Sequence, residues 1–241
     1  MSSMRRVTGR DRRIRPVINS YAADDPRAYG TPVWWHDPNV AASITKDGSN
    51  RVSSMLDLST GGNDVANGGA VGTWPTYVAG ALNGYPVLNF TNQTLNKSLG
   101  APILGTDWTV ILVGSNRSAG GTNGSFLRQG HVANNTGLDL TFVANVRTVA
   151  CKGVQVHTGG TMTNDTFEIW QVEKVSGSAP TLKINNSADA LTGALTGYST
   201  GANTFDYGVS TNVCRIAFCC AFNATGISTA FVTALRTKYA I

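Results

Sequence analysis

The sequence predicts an all-β sandwich with one short helix at its C-terminus and an irregular, extended arm at its N-terminus. Charged residues make up only 14% of the 241 residues, whereas about 25% is typical of soluble domains. The chain has 27 glycines, and it is rich in Thr, Ser and Asn but contains only two glutamates. This composition favours short strands joined by tight turns and disfavours a helical protein, whose exposed faces would need Glu, Lys and Leu.

The segment 1–30 is predicted to form a basic arm, and the segment 31–241 is predicted to form one folded domain. The stretch from Met1 to Pro16 holds six arginines and one acid, and the rest of the chain carries equal numbers of basic and acidic residues. Four of the eight prolines fall between Met1 and Pro38, where each removes a backbone donor and interrupts strand pairing. We therefore expect a partner to order the arm. Its candidate partner-binding residues are Arg5, Arg6, Arg10, Arg12, Arg13 and Arg15.

The arginine arm has several interpretations. It can dock on an acidic protein surface, contact phosphates of nucleic acid, keep the chain soluble, or be a tail without a role. Nucleic acid is the less favoured partner, because a nucleic-acid-binding fold usually spreads a basic stripe over its folded face, and residues 17–241 are balanced in charge. The N-terminus has no apolar signal-peptide core and no apolar run approaches a membrane span, so we expect synthesis in a cytoplasm and no membrane partner.

Five runs of β-forming residues carry the prediction of a sandwich. In one of them Leu138, Leu140 and Phe142 alternate with polar residues, which is typical of a half-buried strand. Two others, Trp108 to Val113 and Ile216 to Phe222, are apolar on both faces, as expected for strands in the middle of a packed layer. The runs are Asp107–Ser115, Gly137–Asn145, Thr166–Val175, Thr181–Asn185 and Val213–Phe222. Turn clusters predicted to separate such runs include Ser118–Gly124 and Gly159-Gly160.

The C-terminal residues predict the one helix. Ser228 can cap its N-terminus, and Arg236 and Lys238 lie in its last turn, where they favour the negative end of the helix dipole. The apolar positions form one helical stripe. They are Phe231, Val232, Leu235 and Tyr239.

Candidate catalytic carboxylates are poorly arranged for an enzyme. Glycan hydrolases need two carboxylates on one side of a cleft. The two glutamates, Glu168 and Glu173, are separated by an odd number of positions in one strand, which places them on opposite faces. Asp139 and Asp206 could contribute, but nothing in the sequence pairs them. No nucleophile elbow or phosphate-binding loop occurs, so we expect a protein without catalytic activity.

The sequence predicts no cofactor and no metal. Asp37, Asp57 and Asp64 could bind calcium in loops, but no calcium-loop ladder is present, and capping of the loops is favoured.

The four cysteines have no paired spacing, the three histidines are scattered, and we expect reduced, structural thiols. The cysteines are Cys151, Cys214, Cys219 and Cys220, of which the last two should face opposite sides of a strand.

The five tryptophans can stack on sugar rings when exposed, but in a sandwich they more often lie in the core. Trp108, inside a two-sided apolar run, is expected to be buried. The others are Trp34, Trp35, Trp74 and Trp170.

Several segments, in the right order, resemble the concanavalin A-like (laminin-G-like) jelly-roll domains of bacteriophage and bacterial surface proteins. They are Trp34-Trp35-His36-Asp37 with Ser43-Ile44-Thr45, then Asp57–Asp64, then Pro75–Val78 with Ala81–Phe90, then Trp108-Thr109-Val110, and the closing Leu235–Ile241. The resemblance covers residues 33–241 and implies a two-sheet antiparallel jelly roll. Met55 and Leu56 replace a family tryptophan, and the glutamate-rich strand of the hydrolase members is not matched, so no catalytic residue carries over.

An arm joined to a lectin-like sandwich resembles a virion component of a tailed phage, assembled in the host cytoplasm. The leading hypothesis is a non-enzymatic capsid decoration or cement protein, anchored by its arm to the major capsid protein or other virion subunits, with self-association as a further option. The alternative is a glycan-binding module on a tail or fibre. An enzyme acting on polysaccharide is the third hypothesis.

Overall fold

The computed structural model describes residues 21–100, 103–117, 124–130, 137–151, 155–192, 204–208 and 213–241. The six arginines of the arm and most of the predicted Ser118–Gly124 turn lie outside these ranges. The domain boundary at residue 30 stays a prediction. Tyr29, just before it, stacks on Phe231 of the C-terminal helix, with 4.8 Å between ring centroids.

Within the described residues, the first of two antiparallel sheets has eight strands, and strands are numbered in chain order. Its main path runs β15 (Ser187–Asp189), β14 (Thr181–Ile184), β13 (Glu168–Lys174), β8 (Trp108–Asn116), β17 (Val213–Phe222), β6 (Gly84–Thr91) and β5 (Thr76–Gly80). Strand β1 (Pro32–His36) pairs with the C-terminal half of β17, on the edge whose other half pairs with β6.

In the part of the chain that the structure describes, the second sheet has nine strands. Their order is β12 (Gln155–Thr161), β11 (Val146–Cys151), β10 (Leu138–Val143), β9 (Gly124–Gln129), β16 (Thr204–Tyr207), β7 (Leu95–Ser98), β4 (Val65–Ala66), β3 (Val52–Met55) and β2 (Ile44–Lys46). All five predicted runs contain a strand, and the predicted two-sheet sandwich is confirmed.

The main core lies between the two sheets, where side chains that alternate along each strand meet. Trp34, Trp108 and Trp170 are fully buried there, as predicted for tryptophans of a sandwich. Other large members are Leu88, Phe90, Leu112, Phe126, Leu140, Phe142 and Phe205.

A second apolar layer covers the outer face of the first sheet. Helix α1 (Thr229–Tyr239) packs its predicted stripe against this face, and the hydroxyl of Ser228 accepts a hydrogen bond from Ala230 N at 3.1 Å. The apolar two-sided pattern of β8 and β17 is thereby explained, because each strand has a core on both sides. Cys219 faces the main core and Cys220 faces the helix, so their predicted opposite orientation is confirmed. Both are free and buried, as is Cys214.

A buried ionic cluster joins the two sheets. Arg147 of β11 donates to both carboxylate oxygens of Glu168 on β13, at 2.6 and 2.8 Å, and to Asp189 on β15 at 3.1 Å. Gly160 N also donates to Asp189 at 2.9 Å. The guanidinium side chain is only 11% exposed, so its two carboxylate partners offset the cost of burying the charge.

The turn predicted at Gly159-Gly160 is wrong, because both glycines lie within strand β12. A Cβ atom on Gly159 would lie 2.6 Å from a carboxylate oxygen of Asp189. These glycines therefore allow the ionic cluster to approach the strand closely, which is a recognised use of glycine inside a sheet.

Candidate functional site

An open cleft of about 440 Å³ lies where β1 begins and β7 ends. Its lining comes from three segments, residues 31–33, 60–63 and 97–103, of which 101–102 lie outside the described residues. The volume is in the range of small-ligand sites, about 300–1,000 Å³. The cleft brings together segments that are far apart in the sequence.

The carboxylate of Asp57 organises the loop that forms one part of the cleft. It accepts backbone N–H groups of Trp35, Ser59 and Asn63 at 2.8–2.9 Å. Asp64 in turn accepts Asp57 N at 2.8 Å. Both aspartates thus cap a loop, in agreement with the favoured prediction.

The third calcium candidate, Asp37, also has local partners. Its carboxylate accepts Asn39 N at 2.9 Å and lies 3.4 Å from the ammonium of Lys238. Within the described ranges, His, Cys, Asp and Glu side chains form no group of three or more that could hold a metal ion.

Gly61 and Asn63 hold this loop against β1. The side-chain amide of Asn63 donates to Val33 O at 2.9 Å. A Cβ atom on Gly61 would lie 2.2 Å from the same Val33 oxygen, so only glycine lets the loop come this close. The wall of the cleft is therefore fixed by hydrogen bonds from the side chains of Asp57 and Asn63 to the backbone, and by the close approach that Gly61 allows.

His36 fastens the same loop from inside the sandwich. Its Nε2 lies 3.1 Å from Asn63 O and its Nδ1 lies 2.9 Å from the hydroxyl of Tyr207. Since a carbonyl only accepts, Nε2 carries the proton and Nδ1 accepts from Tyr207. Burial lowers the pKa of His36 to about 4.

Lys97 supplies a positive charge to the cleft. Its ammonium donates to Gly62 O, and among the described residues it forms no ion pair with a carboxylate. The cation is thus held by a neutral oxygen, which leaves its charge available to a ligand.

A smaller pocket of about 270 Å³ adjoins the cleft and shares Thr31, Pro32 and Thr60 with it. Tyr21, which is 39% exposed, and Arg27 line its far part. The two pockets together are called the groove below. It carries an aromatic ring in one part and the ammonium of Lys97 in the other.

Arg27 is fixed at the groove by two rings and a carboxylate. Its guanidinium carbon lies 4.7 Å from the ring centroid of Tyr21 and 5.2 Å from that of Trp35. Asp25 accepts from its Nη2 at 2.5 Å. The guanidinium thus makes a cation–π contact with the exposed Tyr21 ring.

The sequence had singled out the tryptophans, not Tyr21, as candidates for sugar stacking. Trp35 is 8% exposed, and Trp74 is half-buried with its indole N–H donating to Gly69 O at 3.1 Å. The exposed ring of the groove belongs instead to the stretch predicted to be an arm. No pattern in the sequence signalled it, because the groove forms only when residues 21–32 meet the loop at residues 58–63.

The two glutamates lie on opposite faces of β13, as predicted. Glu168 points inward to Arg147, whereas Glu173 accepts Gly226 N at 2.7 Å on the outer side.

The structure does pair the two aspartates that the sequence left apart. Asp139 on β10 and Asp206 on β16 both lie opposite Arg128 on β9, on the outer face of the second sheet. Asp139 bonds the guanidinium at 3.0 Å and accepts the hydroxyl of Ser125 at 2.7 Å. Burial raises the pKa of both carboxyls. These aspartates do not line the groove.

No family model matches the sequence, and a search of curated proteins finds no match. Solved structures do resemble the fold. The receptor binding domain of botulinum neurotoxin D gives a TM-score of 0.56 at 8% identity, covering 90% of this chain and 54% of that one. The type G receptor binding domain gives 0.52 at 10%, covering 87% and 51%. Trypanosoma rangeli sialidase gives 0.50 at 8%, covering 81% and 32%.

The chain therefore spans about half the length of the toxin domains and a third of the sialidase. At these identities the comparisons show the fold alone, a two-sheet antiparallel β-sandwich. The structure also has, within its described residues, no helix that is long and apolar enough to cross a membrane.

The buried, neutral His36 predicts acid sensitivity of the fold. An unfolded histidine binds a proton below about pH 6.5, but the folded one does so only near pH 4. Above pH 6.5 neither state binds this proton, and the fold keeps its full stability. As pH falls from about 6.5 towards 4, only the unfolded state gains the proton, so the folded state loses stability relative to it. We expect the free energy of unfolding to fall by about 2.5 kcal/mol from this group between about pH 7.5 and about pH 4.5.

Urea unfolding at the two pH values measures this loss. His36→Gln should lack this part of the pH dependence, which the wild type shows. Equal pH dependence in the wild type and His36→Gln would contradict the assignment.

Proposed function

We propose that this chain is a non-catalytic, glycan-binding domain that holds sugar in the groove. The observation that carries the proposal is the groove itself, in which hydroxyl groups and an ammonium line the cleft and an exposed aromatic ring lines the adjoining pocket. Binding sites for small polar ligands combine such a concave, partly apolar surface with a few placed polar groups.

The groove has the chemistry that a sugar requires. A pyranose offers hydroxyl groups, which both donate and accept, and an apolar face that stacks on aromatic rings. Thr60, Ser98 and Lys97 supply polar side chains, and Tyr21 supplies the ring. The likeness to toxin domains described as receptor binding domains supports a binding role.

Binding is favoured over hydrolysis because no Asp or Glu is among the residues lining the described groove. Glycoside cleavage by the usual routes needs two carboxylates at the scissile bond. Glu168 is occupied by Arg147 in the interior, and Asp139 is occupied by Arg128 on another face.

Groove variants test the proposal. Once a glycan screen has identified an oligosaccharide that binds, Tyr21→Ala and Lys97→Gln should each weaken binding about tenfold, or about 1.4 kcal/mol. Isothermal titration calorimetry gives the affinity, and chromatography should recover the sugar uncleaved. Lys46→Gln is the matched control, since Lys46 lies over Tyr77, away from the groove.

A full screen without binding at millimolar sugar, or groove variants that bind like the wild type, would contradict glycan binding in the groove. Sugar cleavage that persists in both groove variants but stops in Asp139→Asn would favour the enzyme hypothesis.

We propose as a second candidate that the chain is a virion component, a decoration or cement protein held by its arm. What supports this is the confinement of the excess positive charge to the stretch from Met1 to Pro16, together with the resemblance of residues 33–241 to domains of phage proteins. The two roles are compatible, because one uses the arm and the other uses the sandwich.

Deletion of residues 2–16 tests the virion role. The truncated chain should lose binding to purified phage particles, since it loses all six clustered arginines, while its circular dichroism spectrum remains that of a β-sandwich. Co-sedimentation with particles measures binding. Truncated chain that co-sediments like the full chain would refute anchoring by the arm.

A further inference from the structure

We propose a second binding site, for an oxyanion, on the outer face of the first sheet where helix α1 no longer covers it. Three neighbouring strands mark the place. On the outer face of these strands, the last residues that belong to the second apolar layer are Val87 on β6, Val113 on β8 and Ala217 on β17. Beyond them in the sheet come polar residues that lie side by side in register, Asn89, Ser115 and Arg215.

Two arginines cross this polar patch. Arg117 donates to the side-chain oxygens of Asn89 at 3.0 Å and Thr91 at 3.4 Å, both neutral. Arg215 bonds Asp165 and lies over the ring of Phe167, with its guanidinium carbon 5.4 Å from the ring centroid.

The patch therefore carries more positive than negative charge. It has two guanidinium groups and one described carboxylate, Asp165, which is itself 47% exposed. Burial lowers the pKa of Arg215, the charge of Asp165 raises it, and the charge of Arg117 lowers it. The two cations are neighbours in the patch, since Arg117 bonds Asn89, the residue that pairs with Arg215. An anion between them would relieve their repulsion.

Two buried donors point to the same ligand. The hydroxyl of Ser115 and the Nε of Arg215 have no hydrogen-bond partner among the described residues, and Ser115 is completely buried. A buried polar group left without a partner costs about 1–3 kcal/mol. An oxyanion above Ser115 can accept from the hydroxyl, from Arg215 Nε and from Arg117 at once.

The chemistry defines the ligand as a sulfate, phosphate or carboxylate group. Planar guanidinium forks match such oxyanions with paired hydrogen bonds. The group can belong to a free anion or to an acidic glycan. The site is separate from the groove, since it lies at the Val213 end of β17, whereas the groove lies at the Phe222 end, where Pro32 pairs.

Nuclear magnetic resonance of the arginine side chains tests the site with inorganic sulfate as the probe. Sulfate, titrated at constant ionic strength against chloride, should shift the Nε–H resonance of Arg215 saturably. That resonance is assigned by its absence in Arg215→Lys. Arg117→Gln, a change at the surface, and Ser115→Ala should each weaken sulfate binding at least tenfold, whereas Arg51→Gln, whose partner Asp47 lies elsewhere, should not.

Absence of a saturable shift in the wild type, or unchanged sulfate affinity in Arg117→Gln, would overturn the proposal. Phosphate and acetate titrations rank the oxyanions. A sulfated oligosaccharide that binds more tightly than inorganic sulfate would assign the site to acidic glycans, and equal affinities would assign it to the free anion. Because neither probe depends on Lys97 or Tyr21, failure of the groove leaves this test intact.

Discussion

Strand β17 is the constraint on which the rest of the structure depends. It is buried on both faces, and it pairs along one edge with β8 and along the other with β6 and then β1. Alternate side chains such as Cys219 and Cys220 enter different cores. Since β1 is placed by β17, and the loop at residues 57–64 is fixed to β1 through Asp57 and Asn63, the shape of the groove follows from the burial of one strand.

The buried polar groups are of two kinds. Some have hydrogen-bond partners within the sandwich, and others have none among the described residues. Arg147 finds two carboxylates, and both ring nitrogens of His36 have partners, so each is fully explained by the sandwich. Ser115 Oγ and Arg215 Nε lie beside an irregularity in the pairing of β17 with β8, and no described residue forms a hydrogen bond with either atom. Native proteins rarely leave such groups without a partner, which is why this patch rather than the clusters indicates a ligand.

The sequence was most informative where the residue pattern within a single strand or helix is enough to predict which side chains are buried. The alternation around Leu140, the two-sided run at Ile216 to Phe222 and the stripe of α1 each predicted burial correctly. What depends on pairing between distant segments could not be predicted. Asp139 and Asp206 come together at Arg128 only because of the register of three strands. Gly159-Gly160 was predicted to be a turn because the sequence gives no sign that Asp189 packs against these glycines.

The groove also forms only when distant segments of the chain meet, and it is the proposed site of glycan binding. The most direct test of this binding is a crystal structure of the full chain with an oligosaccharide that binds in solution. We predict sugar in the groove, with a ring stacked on Tyr21 and a hydroxyl or acidic group at the ammonium of Lys97. Sugar bound instead on the outer face of the second sheet, around Arg128, with the groove empty, would contradict the account.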